Sequence, residues 1–227
     1  MGSHISYSQS KSEVYYQNPR EEMLGFIPKN VKRTLEFGCG CGLFSELVKK
    51  ELDAECWGVE IEEKYAQIAA EKLDRVIRSD AGDSIAILPD GYFDCIILND
   101  VLEHLEDPFS LLENLKSKVT SNGVVVLSIP NVRFWNNLRA FIWRGEWDYE
   151  DAGILDSTHL RFFTHKSLLK MFQKLGYEVL NIEGLRPTHN KKFRVLNFLL
   201  WNRLWDARYH QFACVVKPAG GKRSGNE

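Results

Sequence analysis

The stretch Thr34-Leu35-Glu36-Phe37-Gly38-Cys39-Gly40-Cys41-Gly42-Leu43-Phe44 decides how the rest of the chain is interpreted. The apolar run that carries Glu36 predicts a short strand, and the three alternating glycines after it predict a loop. Apolar residues recur at helical spacing from Leu43 to Val48, which predicts a helix directly behind the loop. Such a loop lets a ligand lie against the main chain, and the helix N-terminus offers it unpaired N–H groups.

Two classes of cofactor use a glycine loop, and the spacing of the glycines separates them. A dinucleotide-binding loop reads G-x-G-x-x-G, and its third glycine allows close packing of the helix on the strand. In this chain that position holds Leu43. Glu36, two residues before the loop, would repel a pyrophosphate but attract an ammonium group. An NAD-dependent enzyme is therefore the disfavoured alternative.

The run Leu35-Glu36-Phe37-Gly38-Cys39-Gly40-Cys41-Gly42 resembles motif I of the class I S-adenosylmethionine (SAM) methyltransferases, the type 11, 12 and 23 small-molecule enzymes in particular. A second stretch typical of that family runs from Phe93 to Pro108 and includes Val101-Leu102-Glu103-His104-Leu105. The resemblance implies SAM as the cofactor and S-adenosylhomocysteine as the product. It also implies that the methionyl end of SAM faces Glu36 and the backbone of Gly38, Cys39, Gly40 and Gly42.

Further acidic and polar residues follow the other predicted strands. Glu60 lies 22 positions after Gly38, which fits the acidic residue found about 20 residues beyond such a loop, where it accepts from ribose hydroxyls. Ile61 follows Glu60 and is assigned to the same site. The family resemblance places Asp80 near the adenine amino group and the Ala81 backbone beside the ring. Asp83 competes with Asp80 for that role.

The fold follows from the apolar strands and the helices between them. The predicted strands lack apolar–polar alternation, which is typical of a mainly parallel sheet buried on both faces. We predict an α/β Rossmann-like fold with seven strands, helices on both faces and an antiparallel last strand. Four polar residues at the carboxyl ends of strands are expected to share one binding crevice: Glu36, Glu60, Asp80 and Asn99.

Length, composition and charge set the class of protein. The 227 residues, 44% of them hydrophobic, predict one main domain over residues 31–217. A formal net charge of −2 argues against nucleic-acid binding. Five cysteines, an odd number, predict free thiols in a reducing, cytoplasmic compartment. No metal site is predicted, since Cys39-x-Cys41 lacks a second ligand pair.

The two ends of the chain are set apart from the main domain. Residues 1–30 begin with Met1-Gly2-Ser3-His4, typical of an expression tag, and continue into a short helix from Arg20 to Ile27. In methyltransferases of this type such a helix often covers the cofactor. Tyr16 and Arg20 are then cofactor residues, with Arg20 near the SAM carboxylate. The open alternative is a solvated first turn with tyrosines packed on the sheet. Residues 218–227 are predicted to be disordered.

Two insertions are candidates for the acceptor side. Residues 132–163 are aromatic-rich and end in Leu155-Asp156-Ser157-Thr158-His159-Leu160-Arg161-Phe162-Phe163, which resembles a bacterial subgroup often encoded with surface-glycan genes. Residues 184–211 carry six Lys or Arg residues against one acid. This second insertion suggests a lid or dimer patch, or alternatively peripheral contact with a membrane. No apolar run reaches the roughly 18 residues that would span a bilayer.

The acceptor and its activation are predicted from these stretches. A hydroxyl acceptor needs its proton removed, and a histidine suits that task near neutral pH. His159 is the first candidate base and His104 the second, although either can have a structural role. The preferred acceptor is a hydroxyl of a sugar or glycan precursor. The alternative acceptor is a phenol or quinone precursor. The alternative class of protein is a SAM-binding protein without catalysis. The protein is expected to be a monomer or a homodimer.

Overall fold

A computed structural model describes residues 19–219 of the chain. Tyr16, the tag residues and residues 220–227 of the predicted tail lie outside the described residues. The strands are β1 (Arg33–Phe37), β2 (Glu55–Glu60), β3 (Arg75–Arg78), β4 (Phe93–Asn99), β5 (Val119–Pro130), β6 (Tyr177–Pro187) and β7 (Tyr209–Pro218). The α-helices are α1 (Leu43–Leu52), α2 (Glu63–Ala70), α3 (Ala81–Ser84), α4 (Pro108–Leu115), α5 (Trp135–Arg144), α6 (His165–Lys174) and α7 (Lys191–Leu199).

All seven strands form one sheet in the order β3-β2-β1-β4-β5-β7-β6. The first five strands pair in parallel, whereas β7 runs antiparallel to both of its neighbours. The predicted fold, a mostly parallel Rossmann-like sheet with an antiparallel last strand, is confirmed. Because β1, β2 and β4 are parallel neighbours, their carboxyl ends meet at one edge of the sheet.

Helices cover both faces of the sheet, as the buried strands require. Consecutive residues of β4 belong to different apolar clusters, because side chains alternate between the faces of a strand. Ile96 packs in the cluster that includes Leu111 of α4 and Phe172 of α6. Ile97 packs in the cluster that includes Phe44 of α1 and Ala69 of α2. This double covering explains why β4 is apolar from Cys95 to Leu98.

The region between α4 and β5 differs from the prediction. The sequence predicts a helix from Phe109 to Val119 that Ser121-Asn122-Gly123 stops, but α4 ends at Leu115 and β5 already begins at Val119. The turn-type residues lie within β5, where its pairing with β4 shifts register. A Cβ at Gly123 would lie 2.8 Å from the Phe93 carbonyl oxygen. The glycine therefore permits a close strand approach at a bulge and does not end a helix.

The two predicted insertions pack against each other. The first, residues 132–163, contains α5, and the second contains α7. The second is shorter than predicted, because β6 continues to Pro187 and β7 begins at Tyr209. The Trp135 ring of α5 lies 5.2 Å from the Phe193 ring of α7, and both are buried with Ala207. Within residues 19–219, no helix combines the length and apolar character needed to cross a membrane.

Candidate active site

Glu36 lies at the carboxyl end of β1 with only 4% of its surface exposed. The Ser45 hydroxyl, on α1, donates to Glu36 Oε2 at 2.7 Å, and the Asn99 amide, at the end of β4, donates to Oε1 at 3.3 Å. Asn99 Oδ1 is buried and has no hydrogen-bond donor among the described residues. Since such an atom costs free energy until it is paired, the end of β4 is prepared for a ligand that donates.

The electrostatics of Glu36 point to a cationic ligand. Burial raises the pKa of Glu36 to about 7, while hydrogen bonds from Ser45 and Asn99 and the charge of Arg20 act to lower it. Near neutral pH the carboxyl group is therefore balanced between its protonated and ionised forms. A cation bound beside it would favour the ionised form, because opposite charges stabilise each other in a buried site.

The glycine loop bends as the sequence predicts, with φ of +62° at Gly38, +54° at Gly40 and +75° at Gly42. These left-handed conformations favour glycine. At Gly42 space matters as well, since a Cβ would lie 3.1 Å from the Cβ of Ala69. The loop backbone thus comes close to α2, and its contact with the cofactor stays a prediction.

Glu60 joins the end of β2 to the glycine loop. Its Oε2 accepts from the Gly40 N–H at 2.8 Å, and its Oε1 accepts from the Glu62 N–H at 2.9 Å. Each carboxylate oxygen has more than one acceptor direction, so these bonds leave capacity for hydroxyl donors. The structure brings Glu60 into the predicted crevice, and its contact with ribose stays a prediction.

Cys39 takes part in the loop through its backbone. Its thiol is buried against β2, where Gly58 leaves room for it: a Cβ on Gly58 would lie 2.5 Å from Cys39 Sγ. Burial raises the pKa of the Cys39 thiol well above the usual range, and the negative charges of Glu36 and Glu60 raise it further. The side chain is therefore a neutral packing group. The Cys39 N–H donates to the Val59 carbonyl and its carbonyl accepts from the Gly42 N–H, so its contact with the cofactor stays a prediction.

The predicted adenine side lies along the same rim of the sheet. Asp80 caps α3 by accepting from the Gly82 N–H at 2.7 Å through Oδ1. Ala81, the first residue of α3, packs against the main core. Ile61, directly after β2, is 58% exposed. The contacts of Asp80, Ala81 and Ile61 with the adenine stay predictions.

Arg20 is buried, which excludes a solvated first turn as the explanation for this residue. Its guanidinium group donates to the Asp100 carboxylate, to Ser128 Oγ at 3.0 Å and to Gln211 Oε1 at 3.4 Å. Arg20 and Asp100 both have left-handed backbones, with φ of +47° and +53°. Residues other than glycine keep this conformation where their surroundings hold them in place. The contact of Arg20 with a SAM carboxylate stays a prediction.

The two candidate catalytic histidines are neighbours in space. His104 ends a 3-10 helix just after β4, and His159 lies in the first insertion. Their ring centroids are 4.7 Å apart. The backbone N–H groups of Leu160 and Arg161 donate to the Glu103 carbonyl at 2.8 and 3.0 Å. These two bonds hold the first insertion against the segment that follows β4, and the catalytic role of the two histidines stays a prediction.

Several residues of the site carry no prediction from the sequence. Ser45 gives one usable signal, since it is a polar residue on the apolar face of α1. Asp100, Ser128 and Gln211 come together only through the pairing of β4, β5 and β7, which local sequence does not reveal. Glu103 belongs to the family-like stretch, but its spacing assigns it no role.

A glycine loop, an acidic rim and a seven-stranded sheet of this order define the class I SAM-dependent methyltransferase fold. The chain belongs to the methyltransferase domain family, whose model matches residues 9–182. The predicted class of protein is thereby confirmed. Membership in the glycan-associated subgroup is not established by this match and stays a prediction.

Relatives and solved structures agree with this assignment. A SAM-dependent methyltransferase from Archaeoglobus fulgidus superposes with a TM-score of 0.66 and 26% identity, over 90% of this chain and 93% of that one. An uncharacterised protein of Methanocaldococcus jannaschii is 27% identical over 171 residues, 74% of each chain. The mitochondrial ubiquinone biosynthesis O-methyltransferase of Schizosaccharomyces pombe is 31% identical over 106 residues, 43% of this chain and 37% of that protein.

Proposed function

We propose that this chain transfers the methyl group of SAM to a hydroxyl group of a small molecule. The observation that carries the proposal is the buried pair of acceptors beside the glycine loop, Glu36 and Asn99 Oδ1. An α-ammonium group would donate to both and favour the ionised carboxylate. SAM carries such a group at its methionyl end, whereas a nicotinamide dinucleotide offers a pyrophosphate.

The rest of the cofactor fits the same rim. Glu60 would accept from the ribose hydroxyls while keeping its bonds to the backbone of the loop. Asp80, Ala81 and Ile61 would contact the adenine. Arg20 would donate to the SAM carboxylate as well as to Asp100, because a guanidinium group has five N–H donors. Each of these contacts is part of the proposal.

The reaction is an in-line displacement at the methyl carbon. The acceptor oxygen forms a bond to the methyl group, the carbon–sulfur bond breaks, and its electron pair stays on sulfur in S-adenosylhomocysteine. The hydroxyl proton leaves the oxygen. Holding the two reactants in line contributes up to about 7–11 kcal/mol. We place the hydroxyl beside His159 and His104, with His159 first and His104 second as the group that activates it.

The preferred acceptor is a sugar or glycan precursor, and a phenol or quinone precursor is the second candidate. The glycan preference rests on the His159 stretch of the first insertion. The quinone candidate is supported by the S. pombe relative, which is an O-methyltransferase of ubiquinone biosynthesis. A cytoplasmic location is part of the proposal, since the five cysteines are free and buried.

Binding and transfer test the proposal separately. We expect calorimetry to show tight binding of S-adenosylhomocysteine and none of NAD. Radiolabelled methyl from SAM is then followed into a fractionated bacterial extract, with the Glu60→Ala variant as the background. Label in the aqueous pool supports a free or nucleotide-linked sugar acceptor, and label in the organic phase supports a quinone or a lipid-linked glycan. Binding of S-adenosylhomocysteine without label in any fraction would favour either a specialised acceptor that the extract lacks or a non-catalytic SAM-binding protein.

A further inference from the structure

Glu103, His104 and His159 form a cluster in which the two candidate bases lie beside a carboxylate that has no role in the proposed mechanism. Each contributes one donor atom, and these three atoms lie within 4.8 Å of one another. Glu103 is 1% exposed and His159 is 7% exposed. Donor atoms on one tetrahedral ion are about 3.3 Å apart for metal–ligand bonds of about 2.0–2.1 Å. Small side-chain rotations would therefore bring the three atoms to coordination distance.

Hydrogen bonds fix which nitrogen of His159 faces the cluster. Its Nδ1 lies 2.9 Å from the Ile154 carbonyl oxygen. A carbonyl oxygen only accepts, so Nδ1 must carry a proton, and Nε2 is the nitrogen that would bind an ion. Histidine ligands of metals almost always donate their other ring N–H to a carbonyl or carboxylate in this way.

The same argument holds for His104, through a relay of hydrogen bonds. Its Nδ1 lies 3.1 Å from Thr158 Oγ1 and 3.3 Å from the Thr158 carbonyl oxygen. The Thr158 hydroxyl donates its own proton to Asp156 Oδ1 at 2.6 Å. Thr158 Oγ1 must then accept from His104, so His104 also carries its proton on Nδ1. Both imidazoles therefore present Nε2 as the ligand atom.

We propose that Glu103, His104 and His159 bind one divalent transition-metal ion, for which Zn²⁺ is the probe. Two imidazoles and one carboxylate form a ligand set that suits Zn²⁺, Fe²⁺ or Co²⁺ and leaves coordination positions open. The buried Asp156 and the bonds to the Glu103 carbonyl hold the ligands in place as an outer shell does.

The position of the cluster gives the ion a role in the proposed reaction, and this role rests on the proposed function. His104 follows Asn99 by five residues, and Asn99 donates to Glu36 in the cofactor crevice. With Nε2 of both histidines bound to the ion, neither could act as the base, and the ion would instead promote loss of the proton from an acceptor hydroxyl to solvent. The substrate class would then be a molecule whose hydroxyl oxygen binds a metal.

The experiment measures metal binding by the full chain, independently of methyl transfer. The protein is stripped with a chelator and titrated with Zn²⁺ in a calorimeter, and bound zinc is counted by mass spectrometry. We expect one equivalent per chain, with affinity lowered at least 100-fold by Glu103→Gln and by His159→Asn. Glutamine keeps the shape of Glu103, and asparagine keeps a donor for the Ile154 carbonyl. His189→Asn, at an exposed histidine, is the matched control and should bind as the wild type does.

Co²⁺ in place of Zn²⁺ identifies the ligands by absorption spectroscopy. Binding by the five free cysteines would produce a sulfur-to-cobalt charge-transfer band, whereas the proposed ligands would not. A wild-type protein that binds no Zn²⁺, or a cobalt spectrum with the sulfur band, would overturn the proposal. Both outcomes are measured on the wild-type protein, so they do not depend on whether a variant folds. Binding of S-adenosylhomocysteine is measured on each variant, so that loss of zinc alone supports the site. Zinc binding without methyl transfer in any fraction would support the metal site and count only against the proposed function.

Discussion

Glu36→Gln should stabilise the cofactor-free protein while weakening its binding of the cofactor. Glutamine resembles the protonated carboxyl group, which burial favours in the folded state. The pKa of Glu36 rises from 4.5 to about 7 on folding, and each pKa unit corresponds to about 1.4 kcal/mol. The ionised side chain therefore costs the folded protein about 3 kcal/mol, and the variant should recover this amount above pH 8.

The sign of the pH dependence follows from proton uptake. Because the folded pKa is higher, the folded state binds more protons than the unfolded state between pH 4.5 and about 7. The contribution of Glu36 to stability is fully present below pH 4.5 and is lost as the pH rises through the folded pKa. The difference in unfolding free energy between variant and wild type should thus be near zero at pH 4.5 and greatest above pH 8.

Urea denaturation at a series of pH values measures this difference, and calorimetry with S-adenosylhomocysteine measures binding. We expect binding to fall about tenfold to a hundredfold, since a hydrogen bond to a charged group contributes about 1.5–3 kcal/mol. Glu60→Gln is the matched control: its carboxylate accepts from two backbone N–H groups, so the amide should destabilise the protein. A Glu36→Gln variant no more stable than the wild type at pH 8.5 would refute the argument.

Two further substitutions test the cofactor crevice. Glu60→Ala should weaken S-adenosylhomocysteine binding more than tenfold, because the ribose hydroxyls lose a charged acceptor; unchanged affinity in calorimetry would remove Glu60 from the site. Gly42→Ala should destabilise the protein by more than the roughly 1 kcal/mol that a left-handed backbone costs alanine, because the new Cβ would lie 3.1 Å from that of Ala69. Gly91→Ala, also left-handed but with nothing within 4 Å of its Cβ, is the control in thermal unfolding, and equal losses would refute the packing argument.

The parts of the fold that the sequence predicts are those with local signals. The strand, glycine loop and helix around Glu36 follow one another within a dozen residues, and each has its own periodicity or turn chemistry. Glu60 is found by its distance from the loop. The same local logic fails at Ser121-Asn122-Gly123, where turn-type residues lie in a strand because a bulge between β4 and β5 overrides their preference.

The hydrophobic periodicity and the motifs of the sequence do not predict contacts between residues far apart in the chain. Arg20 and Gln211 are 191 residues apart, and they meet because β7 pairs with β5 beside the end of β4. The sequence singles out His104 and His159 separately, but only the folded first insertion brings their rings to 4.7 Å. The Glu103 carbonyl accepts the hydrogen bonds that hold this insertion in place. A site formed by residues far apart in the chain can be identified only once the topology of the sheet is known.

The distribution of charge explains why the crevice would favour the substrate form of the cofactor. The positive charge of Arg20 is engaged by the Asp100 carboxylate, whereas the hydrogen-bond donors to Glu36 are the neutral side chains of Ser45 and Asn99. A cationic ligand therefore supplies the charge that ionised Glu36 lacks. Methyl transfer removes the sulfonium charge, so the attraction between the ligand and the buried carboxylates weakens at the moment the product forms. In the proposed function, the same acidic rim that binds SAM thus holds S-adenosylhomocysteine less strongly and assists its release.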